Sequence, residues 1–135
     1  MPYDPWADLC GRPHLELVWA ELDGARGLIA GAGPRRTIYL DYRLRRRDRA
    51  AVLAHELVHD ERGILYDATA PDALVAKEEA IVEREVARRL VPPAELVALV
   101  GRRDTLTVAD VVAEFDVADD VAELAVQLLL TRGAA

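Results

Sequence analysis

A chain of 135 residues with 52% hydrophobic and 30% charged side chains has the apolar matter for one core. Its 8 Gly and 7 Pro are too few for a collagenous or low-complexity chain. The net charge of −7 is unevenly spread: residues 1–50 carry nine Arg against seven acids, whereas residues 51–135 carry eight basic residues against seventeen acids. The first part is therefore +2 and the second −9. An acidic second part repels phosphates, so direct nucleic-acid binding is not expected. No uncharged apolar run approaches the roughly 20 residues of a membrane span. The opening Met1-Pro2-Tyr3-Asp4-Pro5-Trp6 has neither the basic head nor the apolar core of a secretory peptide. The lone Cys10 cannot form an internal disulfide, which fits a cytoplasmic chain, and it reads as a small buried hydrophobe.

The first third reads as strands. Residues 14–22 alternate imperfectly, with Leu15, Leu17 and Trp19 on one face, and Arg26–Ala30 and Thr37–Tyr42 follow. Gly31-Ala32-Gly33-Pro34 supplies turn chemistry between the last two, so a small antiparallel sheet is expected. No Gly-Lys-Ser/Thr follows those glycines and no helix opens after them, so a phosphate loop is not the reading. Five Arg between positions 43 and 49 read as a solvated connector in preference to a docking patch.

From Asp48 onward the pattern is helical. Asp48 is placed to cap a helix running to about Arg62, where Gly63 is a stop signal. Thr69-Ala70-Pro71-Asp72 has the form of a capping box, opening a helix that ends at Pro92-Pro93. Shorter apolar-periodic segments fall at about 94–100, 108–115 and 118–131, with Thr107 and Asp110 as a second capping box. Phe115-Asp116-Val117 has the look of a helix-turn-helix bend. The helix after it, however, carries Asp119, Asp120 and Glu123, the wrong sign for a phosphate backbone. The expected class is α+β in a single domain: a sheet region at 1–47, metal-binding helices at 48–92 and a helical appendix at 93–135.

The chemistry concentrates in His55-Glu56-Leu57-Val58-His59, an HExxH motif inside the first long helix. Spacing of i and i+4 puts both imidazoles on one face, one turn apart, where they can share one cation. Glu56 lies about 100° round the helix, near enough to reach a metal-bound water without ligating the metal. A zinc site needs a third protein ligand. On the helix after Pro71, Val75, Val82, Val86 and Leu90 form an apolar stripe, and Glu79 interrupts it where an aliphatic is expected. A carboxylate there is costly unless paired or metal-bound, which makes Glu79 the first choice. Glu83, at the stripe's edge, is the alternative ligand or else a group that orients a ligand histidine. Glu78 and Glu85 read as parts of a solvated face.

These residues carry a resemblance. Ala51-Val52-Leu53-Ala54 running into the HExxH motif, then Glu79-Ala80-Ile81-Val82-Glu83 and Ala87-Arg88-Arg89-Leu90-Val91-Pro92, resembles the ImmA/IrrE family of metallo-endopeptidases. Counted back from Pro92, Glu79 takes the place of that family's glutamate ligand. The likeness covers about residues 14–92, and residues 111–129 are similar to the family's small helical appendix. Val91 stands where a Met is usual, Val58 where a Gly is frequent, and the basic position of the last helix is missing. The resemblance implies a zinc-dependent endopeptidase with Zn2+ on His55, His59 and Glu79 and with Glu56 as general base. Tyr66 is a candidate for stabilising the oxyanion, alongside His14, Tyr39 and Tyr42. The resemblance further implies a protein substrate in trans, of the DNA-binding repressor kind; the lack of a long apolar run adds the expectation of no membrane partner. The alternative is a metal-binding regulatory module that keeps the fold without proteolysis.

Overall fold

The computed structural model describes residues 2–31 and 33–134. Their order is α1 (Pro5–Cys10), β1 (Leu15–Ala20), β2 (Gly27–Ala30), β3 (Arg36–Asp41), α2 (Arg46–Arg62), α3 (Asp72–Leu90), α4 (Pro93–Gly101), α5 (Val108–Phe115) and α6 (Asp119–Ala134). A small N-terminal sheet followed by helices is the expected α+β class. No described helix is long and apolar enough to cross a membrane. Helix α1 was not foreseen, although Asp4-Pro5 signals it. The Asp4 carboxylate accepts from the Trp6 backbone N–H at 2.9 Å, and Pro5 occupies the first helical turn. Trp6 and Leu9 take the core side of this short helix, so Cys10 ends it exposed and not buried as expected.

The sheet corrects the expectation of an all-antiparallel arrangement. Its order is β1-β3-β2; β2 pairs β3 antiparallel, but β1 pairs β3 in parallel, from Leu15 opposite Arg36 to Ala20 opposite Asp41. The central strand is the most buried of the three, with Ile38 and Leu40 wholly buried. The segment after β1 therefore passes over the end of β3 before β2 begins. Asp41 pins that crossing: its carboxylate accepts from the Leu22 N–H at 3.1 Å and from the Arg43 guanidinium, which itself donates to the Leu22 carbonyl. These Arg43 contacts hold the Asp41 carboxyl well below the usual carboxylate range. Alternation along a strand says which residues share a face, not which edge a neighbour takes. Gly31 and Gly33 both have positive φ, as a turn of this kind requires, while Ala32 of the expected turn lies outside the described residues.

Helix ends follow the signals unevenly. Gly63 closes α2 in the left-handed conformation, and the Thr107–Asp110 box opens α5, each as read. Asp48 is not the cap of α2; the helix begins at Arg46, and Asp48 lies in the first turn, where its charge suits the helix dipole. The expected box at Thr69 is absent too. Pro71 precedes α3 without a side-chain cap, and Thr69 bonds instead to Asp67. The Arg run is largely committed within the chain: Arg46 and Arg47 both hold Asp116, and Arg49 donates to the carbonyls of Tyr42 and Leu44.

Helix α2 is the element everything else covers. Val52, Leu53 and Leu57 pack on Ile38 and Leu40 of the sheet. Ala54 and Val58 meet Val82 and Val86 of α3, and Ala51 joins the core built by α4, α5 and α6. The C-terminal end of α2 is anchored to the first strands by a charged cluster. Arg12 donates to the Leu57 carbonyl at 2.9 Å and to Asp60 at 3.1 Å, Arg36 reaches both the carbonyl and carboxylate of Asp60 at 3.1 Å, and His14 lies 2.8 Å from it. The Asp60 side chain is only 5% exposed. Asp60→Ala should therefore cost about 3 kcal/mol in urea unfolding, because it removes the buried carboxylate on which the partly buried Arg12 and Arg36 converge. Leu130→Ala, at a position 69% exposed, should cost under about 0.5 kcal/mol. Equal losses at the two positions would discard the anchoring account.

Candidate metal centre

Three side chains converge between α2 and α3. His55 Nε2 and His59 Nε2 lie 3.2 Å apart, and each is 2.8 Å from a different oxygen of the Glu79 carboxylate. The helical step of 100° explains the two imidazoles. Counted from Ala51, the sheet side of α2 is used by Leu53 and Leu57, and the α3 side by Ala54 and Val58. His55, His59, Val52 and Glu56 are left to share the remaining arc of about 100°. Glu79 arrives because α3 crosses α2 there, and its register is held one residue earlier. Glu78 is 5% exposed and receives two bonds from Arg62 of α2, at 2.5 and 2.9 Å. Glu78 is thus no part of a solvated face, as was expected of it. Arg62 holds its carboxyl below the ordinary glutamate range.

The donor set fits a metal ion. Two imidazole nitrogens and a carboxylate can all present lone pairs to one point. Ligand atoms around a tetrahedral zinc, with bonds of about 2.0–2.1 Å, would stand about 3.3–3.4 Å apart. The observed separations of 2.8 to 3.2 Å need only a small opening. His59 Nδ1 is buried and has no hydrogen-bond partner among the described residues, so the outer bond that usually orients a ligand histidine is missing there. Glu83 does not supply it. That residue is exposed, lines the adjacent cavity that His55 and Glu56 also border, and is not among the three converging donors.

Burial governs the protons of the centre. Desolvation lowers the His55 pKa against the opposing pull of Glu79. Glu56 is 6% exposed, and burial, with Glu79's charge adding, pushes its carboxyl up to about 8. Tyr66 is brought to the site, lining a cavity of about 250 Å³ with His55, Glu56 and His59. The other oxyanion candidates are not: His14 is engaged with Asp60, and Tyr39 and Tyr42 lie on or just after the central strand, outside the cavities around the cluster. Sequence reading missed the contribution of β2. Gly27 brings its backbone against α2 so closely that a methyl there would collide with Val52 Cγ1 and reach 3.4 Å from Glu56 Oε1. A lone glycine within a strand pattern is the signal that was available. Compared with protein-family models and with curated proteins, the chain matches none.

Two outcomes are expected. His59→Ala and Glu79→Ala should each remove most bound metal, measured by elemental analysis, whereas Glu83→Ala should keep it; the reverse result for the two glutamates would move the ligand by one helical turn. The second concerns the metal-free chain. A carboxyl raised in the fold is still protonated where the unfolded chain has ionised, so folding is favoured below the ordinary value and that advantage fades as pH rises through the raised one. Wild type should thus lose stability relative to Glu56→Gln between about 4.5 and about 8, by a few kcal/mol. A difference independent of pH in urea titrations with chelator present would count against the buried-carboxyl account.

Proposed function

We propose that this chain is a zinc-dependent endopeptidase of the ImmA/IrrE type. The observation that carries the reading is the pairing of two features. Three and not four protein side chains converge among the described residues, and a buried Glu56 with no hydrogen bond among those residues sits beside them without joining them. A purely structural metal site has no use for that carboxylate and is usually closed by four protein ligands. Zinc would be held by His55, His59 and Glu79.

Held by His55, His59 and Glu79, a dication would supply Lewis-acid activation of water and of a peptide carbonyl and would favour the ionised form of Glu56. Glu56 then accepts the proton of the attacking water and delivers it to the departing amine. Its burial serves that task by keeping the carboxylate weakly solvated and the proton's path short. Tyr66, on the wall of the neighbouring cavity, is the hydroxyl available to donate to the oxyanion. The substrate under this reading is a protein in trans of the DNA-binding repressor kind, met in the cytoplasm. The uneven charge supports a chain that binds protein and not nucleic acid.

The test is Glu56→Gln. It keeps size and helix propensity and leaves the ligands alone, so zinc content should stay near one per chain. Cleavage of a co-expressed repressor should fall at least ~10²-fold. Chelation should abolish the wild-type cut and added zinc should restore it. A Glu56→Gln protein cutting at the wild-type rate would sink the mechanism.

A further inference from the structure

The larger cavity beside the cluster has a chemistry that peptide hydrolysis alone does not call for. It encloses about 580 Å³ between the approach to β2, α2, α3 and the first half of α6, with His55 and Glu56 on its lining. Val52, Val86 and Leu124 give it apolar walls, while the exposed Glu83, Asp120 and Glu123 stand at its mouth. One basic side chain, Arg26, shares the lining, and it is already held by Asp48 at 3.2 Å and lies 3.7 Å from Asp120. Glu83 and Glu123 form no ion pair among the described residues. Independently of that rim, Glu56 is only 6% exposed, makes no hydrogen bond among the described residues, and borders this space as well as the smaller cavity.

Apolar walls below and uncompensated carboxylates above are what a long basic side chain needs. Its methylene stem gains from burial along the walls, and its charged end stays near water and the carboxylates. The smaller cavity on the other flank contrasts with this. Leu28, Ile64, Leu65 and Tyr66 line it, and apart from Glu56 and Glu79 of the cluster its one carboxylate, Glu78, is already satisfied by Arg62. The two flanks therefore sort side chains by different chemistry.

We propose that the larger cavity is a subsite for a lysine or arginine side chain of the bound polypeptide, adjacent to the bond over the metal cluster. Glu83 and Glu123 receive its charge; Val52, Val86 and Leu124 pack on its stem. This rests on the reading of the cluster as a peptidase centre.

The test uses binding, so it does not depend on catalysis. Short peptide hydroxamates anchor on zinc and carry arginine either before or after the chelating group, each matched to a norleucine counterpart. Their affinities for the zinc-loaded full chain are measured by calorimetry. In one of the two series arginine should be preferred about tenfold, the preference should shrink at high salt, and Glu83→Gln with Glu123→Gln should reduce the ratio to about one. Zinc content of the double variant is measured alongside, and the single Glu123→Gln variant, on α6 and outside the converging trio, should halve the effect on a logarithmic scale. Equal affinity for arginine and norleucine in both series overturns the subsite, whether or not the protein cuts peptides. A preference that survives in the double variant overturns the assignment to these carboxylates. Arginine-selective binding by a protein that cleaves nothing would uphold the subsite and fail the peptidase reading instead.

Discussion

The structure depends on one constraint: helix α2 is covered on almost every side. The sheet takes Leu53 and Leu57, α3 takes Ala54 and Val58, and the C-terminal helices take Ala51. A helix so enclosed leaves polar residues one arc to occupy, and His55, Glu56 and His59 occupy it. Burial then raises the cost of leaving them unpaired, so a cation held there would stabilise the fold as well. The position of β2 follows from the same crowding, since only a glycine at position 27 lets the strand approach Val52.

Precision at the cluster comes from ionic contacts placed just outside it. Asp60 ties the end of α2 to Arg12, Arg36 and His14 at the start of the sheet. Arg62, two residues on, clamps Glu78 and so sets where α3 lies along α2. Because Glu79 is the next residue, this clamp decides that its carboxylate meets two imidazoles. Exposed ion pairs contribute little to stability, but Asp60 and Glu78 are both about 5% exposed. Buried pairs of this kind are costly to break and can hold a register. Here that register is the one that brings Glu79 to the two imidazoles.

The C-terminal helices have two roles with one origin. Val111, Val121 and Ala122 bury against the core that includes Ala51, which stabilises the side of α2 away from the sheet. The same packing turns the outer face of α6 toward the mouth of the cavity beside Glu56, bringing Asp120 and Glu123 there. An acidic helix that would repel nucleic acid is thereby available to the surroundings of a proposed peptide-binding cleft. Asp116, left-handed at the bend before α6, is held by Arg46 and Arg47 and so links that helix to the start of α2.

Much of this was legible from local signals. The HExxH spacing, Gly63 as a helix stop, the Thr107–Asp110 box and the interrupted stripe at Glu79 depend on neighbours three or four residues apart, and helical geometry makes such relations readable in any chain. The α+β class was legible for the same reason. Other features were settled by contacts between distant segments. Those include the parallel pairing of β1 with β3, the burial of Glu78 against Arg62, and the approach of Gly27 to Val52. The meeting of Glu83, Asp120 and Glu123 around one cavity belongs with them. A strand's alternation is blind to which edge its partner takes, and a carboxylate on a helix surface reads as solvated until a specific arginine from another element desolvates it. Spacing along one helix is a local property of the backbone, whereas the pairing of elements is decided by the packing of the whole core.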